Sequence, residues 1–491
     1  MSHVGLLDAI QLVGSESAQH DLSPVWLDVE YLAGQPSANG YSLWRHYNPP
    51  VAVDRIPTPP IYRGEPQLRG TDAPDYDNVL SCVKCGLCSA VCPTYATDAV
   101  EIQSPRGRVQ LIRAVEEGRL PLSEIVAEHM YHCLDCRACQ SVCPSGVLVG
   151  EQVLRARNVV ERGRPQAWLK RFVLEQLMTR PEWLEAAIWP VRLYQWLGIQ
   201  WLVRKSGLLR LFPRTLQVME GLLPPLPATP LRRQLPEVTP AVGERRYRVG
   251  FFLGCVMSLV FAKTSARTVS VLAENGCEVV LPKAQKCCGA PHAGEGDVDT
   301  LKRLARHNID LFNGYELDYV VADCAACSAQ TKEYAHLLRD DPQYDEPAQR
   351  FAGKVRDVTE LLAEIPLRQP LAEVRRKVTY HEACHLCHAQ GVSRQPRQAL
   401  RAVPGVELVE MREATWCCGS AGVYNLTHPE RAEQILQRKL DNIAATGADT
   451  VAAANPGCLL QLMAGARERG LDVRVVHPID LLAEAYGQTR P

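Results

Sequence analysis

Two cysteine tetrads share one spacing, Cys82-x2-Cys85-x2-Cys88-x3-Cys92-Pro93 and Cys133-x2-Cys136-x2-Cys139-x3-Cys143-Pro144. No other feature constrains the fold as tightly, because three cysteines at two-residue gaps wrap a short loop around three corners of an iron–sulfur cubane. The fourth turns away and, in two-cluster domains, ligates the other cluster. The spacing therefore predicts one 4Fe-4S cluster on Cys82, Cys85, Cys88 and Cys143, and a second on Cys133, Cys136, Cys139 and Cys92. Zinc fits less well, since a tetrahedral ion would leave thiolates over. Crossed ligation keeps the two centres close. Adjacent one-electron centres work as a wire, so electron transfer is the expected task.

The chain has 19 cysteines, eight between Cys82 and Cys143 and eleven from Cys255 to Cys458. The first residues, MSHVGLLDAIQLVGSESAQ, contain neither a basic segment nor a long apolar one, so no export signal is expected and the location is expected to be cytoplasmic. Thiols there stay reduced, which favours metal ligation over disulfides. A formal net charge of −1 provides no electrostatic footprint for nucleic acid, which is excluded as a partner.

Residues 1–70 read as a Pro-rich arm, with Trp44, Tyr47 and Tyr62 suited to docking. Residues 71–165 read as a largely helical domain carrying the two clusters. Within it Ser104 as N-cap, Pro105 at the first position and Gly118 as a stop bound a helix, whose Arg106, Arg108 and Arg113 read as a solvated basic face. Residues 166–245 hold five of the eight tryptophans on amphipathic helices, followed by a linker, PPLPATPLRRQLPEVTP. The longest uncharged run there, Leu193 to Val203, is well short of the roughly 20 residues that span a bilayer. Packing of these apolar stripes on neighbouring domains is the expected arrangement. Peripheral contact with the inner face of a membrane, or with a quinone, is the alternative.

The rest is an internal repeat. YRVGFFLGC ending at Cys255 matches KVTYHEAC ending at Cys384, KCCGAP matches WCCGSA, and DYVVADCAAC matches DTVAAANPGC, at offsets of 129, 130 and 131. Each copy alternates β-rich runs with helical ones, which favours a parallel sheet covered by helices, with cysteines gathered at the carboxyl ends of the strands. The fold class is thus α+β multidomain, a helical two-cluster domain followed by a duplicated α/β domain with parallel sheets, copy one at 246–370 and copy two at 371–491. Copy one offers Cys255, Cys287, Cys288, Cys324 and Cys327, and adjacent cysteines suit different irons of one cluster better than one small ion. Copy two offers Cys384, Cys417, Cys418 and Cys458, with Asn455 where Cys324 has its counterpart. These four suffice for an iron–sulfur cluster or for zinc. Cys277 and Cys387 lie outside the repeat and read as packing residues.

HEACHLCH, His381 to His388, contains the zinc-peptidase pattern H-E-x-x-H, which needs both histidines on one helical face. Because His381 to Cys384 aligns with Phe252 to Cys255, the segment reads as a strand entering a turn, and a peptidase is rejected. His385, Cys387 and His388 are left as auxiliary donors beside Cys384.

On these motifs the chain resembles the family of iron–sulfur proteins with paired cysteine-rich CCG domains. This family includes the glycolate oxidase iron–sulfur subunit, lactate-utilisation subunits and heterodisulfide reductase. SPRGRVQLI, CCGSAGVYNLTHPE and ANPGC are most similar to the glycolate oxidase subunit. The resemblance implies an electron-transfer subunit in a hetero-oligomer, taking electrons from a flavoprotein that oxidises a 2-hydroxy acid and passing them to a quinone or another carrier. The chain itself has neither G-x-G-x-x-G after a strand nor G-x-x-x-x-G-K-[ST], so no flavin or nucleotide site is expected. The five cysteines of copy one also resemble the heterodisulfide reductase set, which implies the alternative of a noncubane cluster reducing a disulfide, with Cys288 as candidate catalytic residue.

Overall fold

The computed structural model describes Leu68 and residues 72–163, 168–369 and 371–487. The expected Pro-rich arm, apart from Leu68, lies outside them. Strands β1 (Val238–Thr239), β2 (Tyr247–Phe251), β3 (Cys277–Val280), β4 (Tyr319–Ala322) and β5 (Val355–Asp357) form one sheet in the order β1-β3-β2-β4-β5. Strands β6 (Arg376–His381), β7 (Val406–Val409), β8 (Thr450–Ala453) and β9 (Arg474–Val476) form a second, ordered β7-β6-β8-β9. All neighbours are parallel except β1 on β3. Parallel strands buried on both faces read as continuous apolar runs, as VVA in β4 and TVAA in β8 do.

The duplication extends to register. Tyr247 pairs with Cys277 as Arg376 pairs with Val406, Val249 with Tyr319 as Val378 with Thr450, and Val320 with Val355 as Val451 with Val475. Each copy also has a fourth strand and helix that the sequence reading did not separate, VRDVTELLAE at Val355 and VVHPIDLLAE at Val475. Both enter their helix through a capping box, Asp357 with Glu360 and His477 with Asp480. The two copies pack reciprocally. Helix Ala262–Glu274 of copy one lies on Pro478–Ala485 of copy two, and Val358–Glu364 of copy one on Arg394–Arg401 of copy two. One apolar core runs through both, from Val249, Phe251 and Leu272 to Ala399, Ile479 and Leu482.

The linker ahead of copy one is partly structural. Leu231 is fully buried in that shared core, and β1 adds an antiparallel edge to the first sheet. The tryptophan zone meets its expectation in part. Leu174 is buried with its carbonyl 2.9 Å from His292 Nε2, and helix Arg214–Gly221 lies on Tyr424–Thr427 of copy two, whereas Trp168, Trp189, Trp196 and Trp201 stand 60 to 81% exposed.

In the helical domain, Ser104 caps Pro105–Glu116 by accepting from the Gly107 amide, and Gly118 adopts the left-handed conformation after the helix ends. The basic face expected there is corrected at Arg108. Its guanidinium is buried and donates to the His129 and Gln103 carbonyls and to the side chains of Thr94 and Gln103. The neighbouring Arg106 pairs with Glu101, and Arg113 with Glu117.

Candidate metal centres

The two tetrads fold alike. Lys84 and Gly86 in the first loop, and Asp135 and Arg137 at the same places in the second, all take positive φ. Three of the four carry side chains, and such backbone strain persists where a site over-determines it. The turns aim the thiols into two cavities. One is lined by Cys82, Cys85, Cys88 and Cys143, the other by Cys92, Cys133, Cys136 and Cys139, so the fourth cysteine of each tetrad lines the cavity of the other. Backbone amides already point at sulfur, Asp135 N–H to Cys133 Sγ at 3.4 Å and Val147 N–H to Cys143 Sγ at 3.3 Å. Hydrogen bonds of this kind tune a cluster's potential.

In copy one the thiols follow the carboxyl ends of β2, β3 and β4. Cys288 Sγ lies 3.4 Å from Cys327 Sγ, and the Cys327 amide donates to Cys324 Sγ at 3.4 Å. The Cys-Cys-Gly motif has a backbone reason. Gly289 has φ +88° and Gly419 φ +86°, and each amide donates to the sulfur two residues before it, Cys287 and Cys417, at 3.4 Å. All five thiols except the half-buried Cys255 are buried. Tyr334 donates to the Cys288 carbonyl at 2.7 Å, and Asn308 to the Cys287 carbonyl at 3.1 Å.

Copy two brings together Cys384, Cys417, Cys418 and Cys458, and adds a residue that sequence reasoning passed over. His381, the last residue of β6, offers a ring nitrogen that lies with the Cys418 and Cys458 sulfurs in a group whose donor atoms are all within 4.8 Å of one another. The three auxiliary donors expected there have other partners. His385 contacts both Cys384 Sγ at 3.5 Å and Asp135 Oδ2 at 3.6 Å, His388 meets Ser141 Oγ at 3.0 Å, and Cys387 points at the Cys384 carbonyl. Burial would lower the His385 pKa, but Asp135 and Cys384 beside it raise it to about 10. The buried Lys439 was also missed. It donates to the Glu413 and Ala414 carbonyls and has Cys418, Cys417 and Cys458 near it, while burial lowers its pKa to about 8.

The four thiol sets form a series. Burial raises Cys139, with Cys133, Cys92 and then Cys88 of the other tetrad adding to it, so the two tetrads are neighbours. Burial also raises Cys136, with Cys417 and Cys384 next, and Leu134 packs in one apolar cluster with Trp416 and Cys417. Copy two thus sits against the second tetrad. Asn455 then joins the copies: its Nδ2 donates to Cys458 Sγ at 3.6 Å, and its Oδ1 accepts from the Ala326 amide at 3.3 Å and from Cys324 Sγ at 3.8 Å.

The donor chemistry fits iron–sulfur centres. Burial and mutual crowding raise most of these thiols, as Cys384 is raised by Cys417 and Cys327 by Cys288. So many thiolates can coexist in an apolar interior only around cations. Soft sulfur donors select iron–sulfur clusters and zinc over hard cations.

Such a protein is an iron–sulfur oxidoreductase subunit, with a dicluster domain joined to a duplicated cysteine-rich domain. Family models match in the same order: "4Fe-4S dicluster domain" at 78–147, "Glycolate oxidase iron-sulfur subunit, linker region" at 165–223, and "Cysteine-rich domain" at 249–332 and 378–463. The chain is 39% identical to the probable glycolate oxidase iron-sulfur subunit of Bacillus subtilis, over 84% of this chain and 95% of that one. It is 30% identical to the glycolate oxidase iron-sulfur subunit of Escherichia coli, over 86% and 98%. Lactate utilization protein A of Oceanobacillus iheyensis is 33% identical over 48% of this chain and 96% of its own length. The chain belongs to the family of glycolate oxidase iron–sulfur subunits.

Proposed function

We propose that this chain is the electron-transfer subunit of a flavin-linked 2-hydroxy acid dehydrogenase of the glycolate or lactate type, receiving electrons from a flavoprotein partner and delivering them to a quinone or another carrier. One observation carries the reading, the unbroken series of four thiol sets through the protein. The tetrad residues would hold two 4Fe-4S clusters, copy one an iron–sulfur cluster on its five thiols, and copy two a cluster or zinc. Bound iron–sulfur centres supply reversible one-electron chemistry. The chain's own part is to fix the sulfurs, exclude water and set the surrounding charge.

The series is open at both ends. Cys85 is exposed, beside Val83 and Leu87, which suits docking of an electron donor. At the other end Cys255 and Cys287 line a pocket with Met178, Pro181 and Leu184, from the same helical zone as the exposed tryptophans. Residues 168–221 carry eight Lys or Arg against four Glu, and no described helix is long and apolar enough to cross a membrane. Both facts suit peripheral attachment of that zone to an anionic bilayer. Flotation with anionic phospholipid vesicles should capture the protein, and capture should fall several-fold in Trp196→Glu/Trp201→Glu.

The main test is anaerobic purification of the native complex, with iron, sulfide, zinc and flavin counted. Glycolate or lactate should bleach the visible absorption of the clusters only when the flavoprotein is present. Absence of bleaching with both partner and substrate present would remove the reading. The disulfide-reducing alternative has the five gathered thiols of copy one in its favour. It requires that a disulfide reoxidise the reduced protein and that Cys288→Ala abolish this.

A further inference from the structure

Histidines in apolar cores are normally hydrogen-bonded, because burying a polar group without a partner costs about 1–3 kcal/mol. His381 is 1% exposed, and neither ring nitrogen has a hydrogen-bond partner among the described residues. Its imidazole instead lies against Cys418 and Cys458, close enough for all three donors to meet one metal ion. Cys417 and Cys418 are adjacent and Cys384 contacts Cys417, so the thiols of this centre spread over two sides. The imidazole is on the Cys418 and Cys458 side.

The repeat explains why a fifth donor is wanted there. In copy one the fifth thiolate is Cys324, and the residue equivalent to His381 is Phe252, which stacks on Phe312 at 5.5 Å. In copy two Asn455 replaces that thiolate and turns its amide between the copies. Copy two has therefore lost a sulfur at the start of one helix and gained a nitrogen at the end of one strand.

We propose that a ring nitrogen of His381 is a metal ligand of the copy-two centre, sharing one metal ion with Cys418 and Cys458. The inference rests on the reading that copy two holds a metal, either iron in an iron–sulfur cluster or zinc; both accept imidazole beside thiolate. A neutral imidazole in place of a thiolate leaves the centre less negative, and in iron–sulfur proteins histidine ligation raises the potential. Lys439 acts in the same direction. With iron there, the second centre of the repeat would hold an electron more readily than an all-sulfur one; with zinc, which has no redox chemistry, it would be structural.

The test uses the full chain purified without oxygen as wild type, His381→Phe, His381→Cys and Cys458→Ala. The fall in metal per chain from wild type to Cys458→Ala measures what copy two holds, and X-ray absorption at the iron and zinc edges identifies it. If iron, pulsed paramagnetic resonance of the reduced protein should give a nitrogen hyperfine coupling; if zinc, its absorption spectrum should require one nitrogen scatterer. His381→Phe, which installs the residue copy one uses, should lose that signature and at least half of the copy-two metal. His381→Cys should keep the metal with sulfur ligation alone, a result available even if the Phe variant folds poorly. A copy-two metal without nitrogen in the wild type, or an unchanged signature in His381→Phe, would overturn the assignment while leaving the electron-transfer reading intact. A wild type with no metal in copy two would overturn both the assignment and the reading that copy two holds a metal.

Discussion

The two cysteine-rich copies share topology, strand register and reciprocal packing, yet differ at positions around their gathered thiols. Phe252, Asn308, Cys324 and Tyr334 of copy one correspond to His381, Lys439, Asn455 and Gly465 of copy two. Apolar, neutral and thiol groups surround one centre; an imidazole, a buried ammonium and an amide surround the other. What was kept is the backbone, since the left-handed glycine, the amide donating to sulfur and the strand ends recur in both. What changed is the charge. Duplication thus produced one cradle and two electrostatic environments, as expected if the two centres are to have different potentials.

The largest effect should appear where the donor sets diverge. Cys324→Ala removes a thiolate from copy one and should lower iron per chain substantially, by at least half of that centre. Asn455→Ala, at the equivalent place in copy two, should leave metal content unchanged, since its amide bridges Cys458 and the Ala326 amide rather than completing the set. Metal and sulfide analysis of both variants decides it. Equal loss in the two would mean that the copies use this position alike, and the comparison would fail.

The cysteine spacing made the grouping of the thiols legible, since the cavities are lined by the sets that the crossed spacing predicts. The repeat made the sheets legible, through matched β-rich runs before each cysteine. The spatial order of the centres was not legible. Copy one is nearer to the tetrads in sequence, but copy two lies against Cys136, through Leu134, Trp416 and the Asp135–His385 pair. That contact depends on packing between helices far apart in the chain, which no local pattern records. Arg108 was misplaced for a similar reason, since its position on the helix suggested solvent while four acceptors from other segments hold it inside. His381 was hidden by the H-E-x-x-H pattern, which directs attention to helical spacing. The usable signal was its place at the end of a strand, three residues before Cys384 of the copy-two thiol set.

The two motif glycines should differ in a second, smaller way. Both have positive φ, so replacement by alanine costs on the order of 1–3 kcal/mol in strain at either site. Gly289→Ala would place its Cβ 2.3 Å from Leu301 Cδ1, a side-chain atom that can rotate away. Gly419→Ala would meet the Ala432 carbonyl oxygen at 2.6 Å, and a helix backbone cannot yield as cheaply. Gly419→Ala should therefore unfold at the lower denaturant concentration. The opposite order would show that the Leu301 side of copy one is the more rigid.

The smallest net effect involves the helix caps after β5 and β9. Burial raises the Asp357 carboxyl to about 7 from 3.8, so between those values the folded chain binds the extra proton and stability falls as pH rises. Burial lowers the His477 imidazole to about 4 from 6.5, so there the unfolded chain binds the extra proton and stability rises with pH. Between about 4 and 6.5 the two slopes oppose each other, and the wild type should be nearly flat in this contribution. Each variant uncovers one slope of up to about 1.4 kcal/mol per pH unit. His477→Asn should become less stable from pH 4.5 to 6.5 relative to wild type, and Asp357→Asn more stable, with asparagine still able to cap the helix. Denaturation midpoints measured across that range check both signs. Parallel curves for the two variants would mean that these equivalent caps carry the same charge behaviour, and that the electrostatic divergence of the copies is confined to their metal centres.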